Sequence, residues 1–146
     1  MNRDIKFRGK SLEHNIWVFG HYCKINNKGY IILGSENTVN NNNGRALVTF
    51  AEEVDVNTIG EYIGIKDSKG QEVYEGDIIL SPWWDDEPQE VKYYDYGFKG
   101  RDIRQKIVHG RELYEGIDDL LDGCFGEVFE IMGNIHDNPE ILRGEW

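Results

Sequence analysis

Four histidines and two cysteines are the residues that could bind a transition metal: His14, His21, His109, His136, Cys23 and Cys124. Because side chains two positions apart point to the same face of a strand, His21 and Cys23 could supply a pair of zinc ligands. A structural zinc site needs four ligands, and nothing in the sequence places two more beside this pair. We therefore predict no metal site.

Catalysis would need a different set of residues. His136 and Asp137 lie close to Glu140 and could exchange protons, while Ser11 or Cys124 could act as a nucleophile. An active site requires a nucleophile, a base and an orienting group in one pocket. The chain has none of the GxSxG, HExxH, P-loop or Rossmann patterns that would indicate such a site. We predict that the protein is not an enzyme, with no catalytic residues, no cofactor-binding residues and no cofactor.

The carboxylates around Gly76 allow two interpretations. Glu72, Glu75 and Asp77 could bind a cation through their oxygens. However, no ladder of aspartates with EF-hand spacing follows, and an aspartate at a turn usually accepts hydrogen bonds from nearby backbone N–H groups. The segment DSKG at 67–70 also has an aspartate at a turn. Its glycine suits the left-handed position that closes a type I turn. The residues predicted to be structural turn residues are Asp67, Gly70, Gly76 and Asp77.

The formal net charge of −11 lies entirely in the second half of the chain. Residues 1–73 contain nine Lys or Arg and nine Asp or Glu, whereas residues 74–146 contain seven and eighteen. Such a surface repels phosphate backbones, so direct nucleic-acid binding is disfavoured. The charge favours docking of a basic protein partner.

Trp83 and Trp84, followed by three acidic residues, are the most unusual feature of this acidic half. Adjacent residues of a strand point to opposite faces, so one tryptophan could fill the core while the other stays at its rim. Equally, a tryptophan could anchor a protein partner, because this residue is enriched in binding hot spots. The candidate partner-binding residues are Trp83, Trp84, Asp85, Asp86, Glu87, Asp118, Asp119 and Asp122.

Alternation of apolar and polar residues with period two predicts a mainly β fold of antiparallel strands, with small-barrel, SH3-like character and one or two short helices. The segment 61–80, EYIGIKDSKGQEVYEGDIIL, predicts a hairpin whose core residues are Ile63, Ile65, Val73, Tyr74, Ile78 and Leu80. Residues 35–46, rich in asparagine, are interpreted as a surface loop. Helical turns are predicted at 116–123, ended by Gly123, and at 137–142, with an Asn cap followed by Pro.

The length of 146 residues fits one domain, 1–146, with a subdivision near residue 57 between an N-terminal β-hairpin region and a barrel-like core, 58–146. Two isolated cysteines fit a reducing compartment. No apolar run approaches the roughly 18 residues of a membrane span. We expect a cytoplasmic protein without membrane contact, and a homo-oligomer is compatible with the sequence.

Three blocks of the sequence resemble the YopX family: RDIKFR at 3–8, YIGIKDSKGQEVYEGDII at 62–79 and IMGNIHDNPEIL at 131–142. The blocks lie at the start, middle and end of the chain in the family's order, whereas the asparagine segment and residues 99–123 depart from the pattern. The resemblance implies a small, mainly β protein of bacteriophages and prophages, located in the bacterial host cell. It implies no catalytic residues, because no molecular role is established for the family.

We therefore predict an accessory or protein-interaction protein that binds a host or phage protein through its acidic half. One alternative is a DNA mimic, in which the carboxylates of that half imitate phosphate spacing and block a nucleic-acid-binding protein. A small enzyme or metal-binding protein is the remaining alternative.

Overall fold

A computed structural model describes residues 4–39, 45–80, 87–94, 96–102, 114–116 and 129–144. This part of the chain contains ten β-strands and one short helix, and every strand pairing in it is antiparallel. The prediction of a mainly β, antiparallel fold with barrel-like character is confirmed. The chain divides into two compact units, Met1–Glu61 and Tyr62–Trp146. Within the described residues, no helix has the length and apolar character that crossing a membrane requires.

The first unit is built from β1 (Phe7–Ser11), β2 (Trp17–Ile25), β3 (Lys28–Val39) and the first part of β4 (Arg45–Lys66). β1 pairs with β2, β2 with β3 and β3 with β4, and β4 pairs in turn with β1. Each of these strands thus has a partner on both sides. Ile31 and Val54 are almost fully buried inside this unit.

The asparagine-rich segment is more regular than the sequence suggests. β3 extends through Val39 and β4 starts at Arg45, with pairs running from Ser35↔Thr49 to Val39↔Arg45. The predicted loop is therefore wrong for residues 35–39 and 45–46, while residues 40–44 lie outside the described part. The reason is that a β ladder is made by backbone N–H and C=O groups, which polar residues supply as well as apolar ones.

The second unit contains the end of β4, β5 (Glu72–Tyr74), β6 (Asp77–Leu80), β7 (Gln89–Tyr94), β8 (Gly97–Asp102), β9 (Tyr114–Gly116) and β10 (Glu130–Asn134). β5 pairs with β4, and the other five strands form a sheet in the order β10-β6-β7-β8-β9. The helix α1 (Pro139–Leu142) begins after Asn138, where it was predicted. Of the other predicted helical segment, Gly116 ends β9, and residues 117–123 lie outside the described part.

The core of the second unit consists of one cluster of buried side chains: Ile63, Val73, Ile79, Val91, Phe98 and Phe129, with Ile65 and Ile131 packed against it. Ile78 is also fully buried, although it points to the opposite face of β6 from Ile79. β6 is therefore covered on both faces, as expected of a central strand. Burial is confirmed for four of the six predicted core residues, and Ile65 and Leu80 are half-buried.

Candidate functional site

The connection between β1 and β2 places His14 next to β4. Asn15 has the uncommon φ of 55°, and the N–H of Ser11 donates to the carbonyl of Ile16 at 2.8 Å. Within this turn the N–H of His14 donates to Ser11 Oγ at 3.0 Å. The backbone of residues 11–16 is thus folded back on itself, which places the His14 ring against a residue 38 positions away.

That residue is Glu52, whose carboxylate is the centre of the candidate site. Its Oε1 lies 2.6 Å from His14 Nδ1 and accepts a hydrogen bond of 2.5 Å from Ser11 Oγ. Ser11 is buried, with 3% of its surface exposed, whereas the side chains of His14 and Glu52 are 56% and 19% exposed. Glu13 completes the group, since its ligand atom and those of His14 and Glu52 all lie within 4.8 Å of one another.

These contacts shift the protonation of both partners toward the charged state. The hydrogen bond with Glu52, and then the negative charges of Glu52 and Glu13, raise the pKa of His14 above its ordinary value of 6.5. The hydrogen bonds from Ser11 and His14 lower the pKa of Glu52. Both effects favour an imidazolium–carboxylate pair near neutral pH.

The arrangement does not have the geometry of a serine nucleophile with its base. In nucleophilic catalysis the imidazole accepts the hydroxyl proton and the carboxylate orients the imidazole. Here the hydroxyl of Ser11 donates directly to Glu52, and the imidazole bonds to the same carboxylate oxygen. Ser11 therefore orients Glu52. Cys124, the other nucleophile considered, lies outside the described residues.

His136 and Asp137 belong to the turn that leads into α1, and Glu140 lies in the first turn of that helix. Asn134 Oδ1 accepts hydrogen bonds from the N–H groups of His136 (3.0 Å) and Asp137 (2.9 Å). The side-chain amide of Asn134 donates to Asp137 at 3.2 Å, and that of Asn138 donates to Glu140 at 3.3 Å. Both carboxylates thus accept hydrogen bonds from asparagine amides at this turn.

The carboxylates of Asp67 and Asp77 accept hydrogen bonds from the backbone. Asp67 Oδ1 accepts from the N–H groups of Lys69 and Gln71, and Oδ2 accepts from that of Ile131. Gly70, with φ 79°, donates to the Asp67 carbonyl at 3.0 Å. Asp77 is 1% exposed and accepts from the N–H of Tyr74 at 2.8 Å, next to Gly76 with φ 89°.

The other cation sites considered from the sequence do not assemble in the described residues. Glu72 accepts a hydrogen bond from the Tyr74 hydroxyl, and Glu75 accepts one of 3.4 Å from the N–H of Tyr93. Throughout the described ranges, the group of Glu13, His14 and Glu52 is the only one in which three potential metal ligands converge. His21 and Cys23 share a face of β2 without joining such a group.

Of the eight predicted partner-binding residues, only Glu87 lies in the described part of the chain. Glu87 is half-buried, and Trp83, Trp84, Asp85, Asp86, Asp118, Asp119 and Asp122 lie outside the described residues. The described part of the acidic half instead presents Tyr93, Tyr94 and Tyr96 at the β7–β8 hairpin, with exposures of 54%, 48% and 94%. Tyr94 pairs with Gly97, so the hairpin connection has two residues, and Tyr96 in it has a φ of 67°.

Sequence reasoning missed both the Glu52 group and the tyrosine hairpin. The sequence SLEH at 11–14 has a hydroxyl, a carboxylate and an imidazole within four residues, which is a usable signal. Its partner Glu52, however, lies in a polar stretch that resembles a connection, and only the register of β1 against β4 brings the two segments together.

Comparison with known proteins supports the fold and the family. No curated protein matches this sequence. The crystal structure of protein EF1440 from Enterococcus faecalis is similar in fold, with a TM-score of 0.59 and 19% identity over 97% of this chain and 99% of that chain. The family model described as YopX protein matches residues 6–143. The chain therefore belongs to the YopX family.

Proposed function

We propose that this protein is a non-enzymatic phage or prophage accessory protein that binds a basic protein partner through its acidic half. The observation that carries this proposal is the exposure of Tyr93, Tyr94 and Tyr96 at one hairpin of that half. Tyrosine is enriched in binding hot spots because it offers a large contact area together with a polar hydroxyl. The phage context follows from the resemblance to the YopX family.

The backbone of Tyr96 supports a role in binding. A bulky residue with positive φ is a conformational outlier, and each such residue costs on the order of 1–3 kcal/mol. Glycine or asparagine would adopt this conformation more easily in a two-residue hairpin connection. Tyr96 is 94% exposed, so core packing does not compensate for this cost.

The ring of Tyr93 contributes to the packing of the unit. The Tyr93 ring packs edge-on against the buried Phe98, with centroids 5.2 Å apart. We therefore assign the contact with the partner to Tyr94 and Tyr96. In this proposal the surrounding negative charge speeds the encounter with a basic partner, and the tyrosines hold the complex.

Affinity capture from lysates of phage-infected bacteria tests the proposal. The bait is the full chain, compared with a Tyr94→Ser/Tyr96→Gly variant and with a Phe50→Ser control that removes an exposed aromatic ring from the first unit. We expect a basic protein retained by the wild type and the control but not by the double variant. Because glycine suits the backbone at position 96, the double variant should keep its fold. Equal retention by all three baits would refute the assignment to the hairpin.

The same experiment addresses the DNA mimic. If the retained protein binds nucleic acid and is released by added duplex DNA, the acidic half competes with DNA for that protein. Release by salt but not by DNA at matched ionic strength supports ordinary docking.

A further inference from the structure

We propose that Glu13, His14 and Glu52 bind a divalent transition-metal ion of the zinc class. Their ligand atoms lie within 4.8 Å of one another although they come from two segments of the first unit, the β1–β2 connection and β4. This inference goes beyond the proposed docking function. It does not depend on the hairpin tyrosines that support that function.

The distances suit a small ion after minor side-chain rotation. Zinc binds imidazole nitrogen and carboxylate oxygen at about 2.0–2.2 Å, so the ligands of a tetrahedral site are separated by roughly 3.3–3.6 Å. The ion would displace the imidazole proton to solvent, the contact of 2.6 Å between His14 and Glu52 would open slightly, and Glu13 would move closer. The imidazole is more than half exposed, which leaves room for a water molecule as the fourth ligand.

The donor set selects the class of metal. A site of two carboxylates alone would suit calcium or magnesium, which prefer oxygen ligands. An imidazole together with two carboxylates favours a first-row transition metal such as zinc. The negative charges of Glu13 and Glu52 would complement a divalent ion, and Glu13 makes no hydrogen bond or ion pair with any residue in the described ranges.

Ser11 gives the site a supporting partner of the kind that metal ligands commonly have. Its hydroxyl is buried and donates to Glu52 Oε1 at 2.5 Å, which fixes the orientation of that carboxylate. Hydrogen bonds of this kind orient metal ligands, and their loss typically lowers metal affinity about 10–100-fold. Ser11 is a positioning residue in this proposal, and Glu13, His14 and Glu52 are the ligands.

Titration of the chelator-treated full chain with Zn²⁺ by calorimetry, and with Co²⁺ by visible absorption, tests the site. The variants are Glu13→Gln, His14→Asn and Ser11→Ala. The control is His21→Asn, which removes an exposed histidine of β2 and also disrupts the rival pair with Cys23. Glu13→Gln is the most informative variant, because an exposed side chain with no hydrogen-bond partner in the described residues contributes little to folding.

We expect one ion per chain, binding weakened at least about tenfold by Glu13→Gln and His14→Asn, and weakened about 10–100-fold by Ser11→Ala. Binding by the His21→Asn control should match the wild type, and the Co²⁺ absorption should disappear in His14→Asn. The proposal is overturned if the wild type shows no saturable binding of either ion. It is equally overturned if Glu13→Gln binds as tightly as the wild type, or if only His21→Asn loses the metal.

Discussion

Replacing Asp67 by Ala should destabilise the second unit more than any other change in the 67–71 turn. The Asp67 carboxylate accepts hydrogen bonds from Lys69 N (2.9 Å), Gln71 N (2.8 Å) and Ile131 N (3.2 Å). The last of these joins the turn to β10, beside a backbone bond from Ser68 N to the Phe129 carbonyl. Asp67 thus holds together two segments that are 64 positions apart in sequence.

The expected loss is about 2–4 kcal/mol in the free energy of unfolding. A hydrogen bond to a charged group contributes about 1.5–3 kcal/mol, and a buried donor left without a partner costs about 1–3 kcal/mol. Lys69 and Gln71 are exposed, so their N–H groups can bond to water when the carboxylate is removed. The N–H of Ile131 is less accessible to water. The lost hydrogen bond of this N–H and the lost charged acceptor therefore account for most of the expected change in the free energy of unfolding.

Urea denaturation and hydrogen exchange together measure this effect. The matched control is Lys69→Ala, which breaks the exposed ion pair with Glu130 (3.1 Å) and leaves every backbone bond of the turn in place. That change should cost less than about 1 kcal/mol. Exchange should accelerate at the amides of residues 69, 71 and 131 in the Asp67→Ala protein. The reasoning fails if both variants lose the same stability, or if the amide of residue 131 keeps its protection.

Three further results are expected. Ile78→Ala should cost about 2–5 kcal/mol, measured by urea denaturation, because Ile78 is fully buried; a loss below about 1 kcal/mol would contradict its burial. In metal-free protein, NMR titration should show that the pKa of His14 lies above 6.5 and returns toward that value in Glu52→Gln. The raised pKa of His14 gives stability that is lost as pH rises through that pKa, and the lowered pKa of Glu52 gives stability that is lost as pH falls through it. The pair should therefore stabilise the protein most between pH 4.5 and 6.5. Charge reversal at Asp85 and Asp86 should slow association with the captured partner in low salt, whereas Tyr94→Ser/Tyr96→Gly should speed dissociation; equal association rates at low and high salt would refute docking by charge.

The 61–80 hairpin could be predicted from sequence because its determinants are local. Alternating apolar residues define the buried face, and a glycine of positive φ follows within three residues of Asp67. The helix at Pro139 was predictable for the same reason. Contacts between distant segments were not, since the pairing of Ser11 with Val54 depends on a register shift between β1 and β4 that no local pattern encodes.

The structure also changes how the charge of the second half should be interpreted. Some of its carboxylates are structural, because Asp77 accepts the N–H of Tyr74 inside the unit and Glu90 receives two hydrogen bonds from Arg101, at 2.9 and 2.6 Å. Glu90 is only 6% exposed. Burying a charge is tolerated only when it is paired or hydrogen-bonded, so reversing either one should unfold the protein before it reports on binding. The docking charge must therefore come from exposed carboxylates, and charge-reversal experiments at Asp77 or Glu90 would measure stability, not recognition.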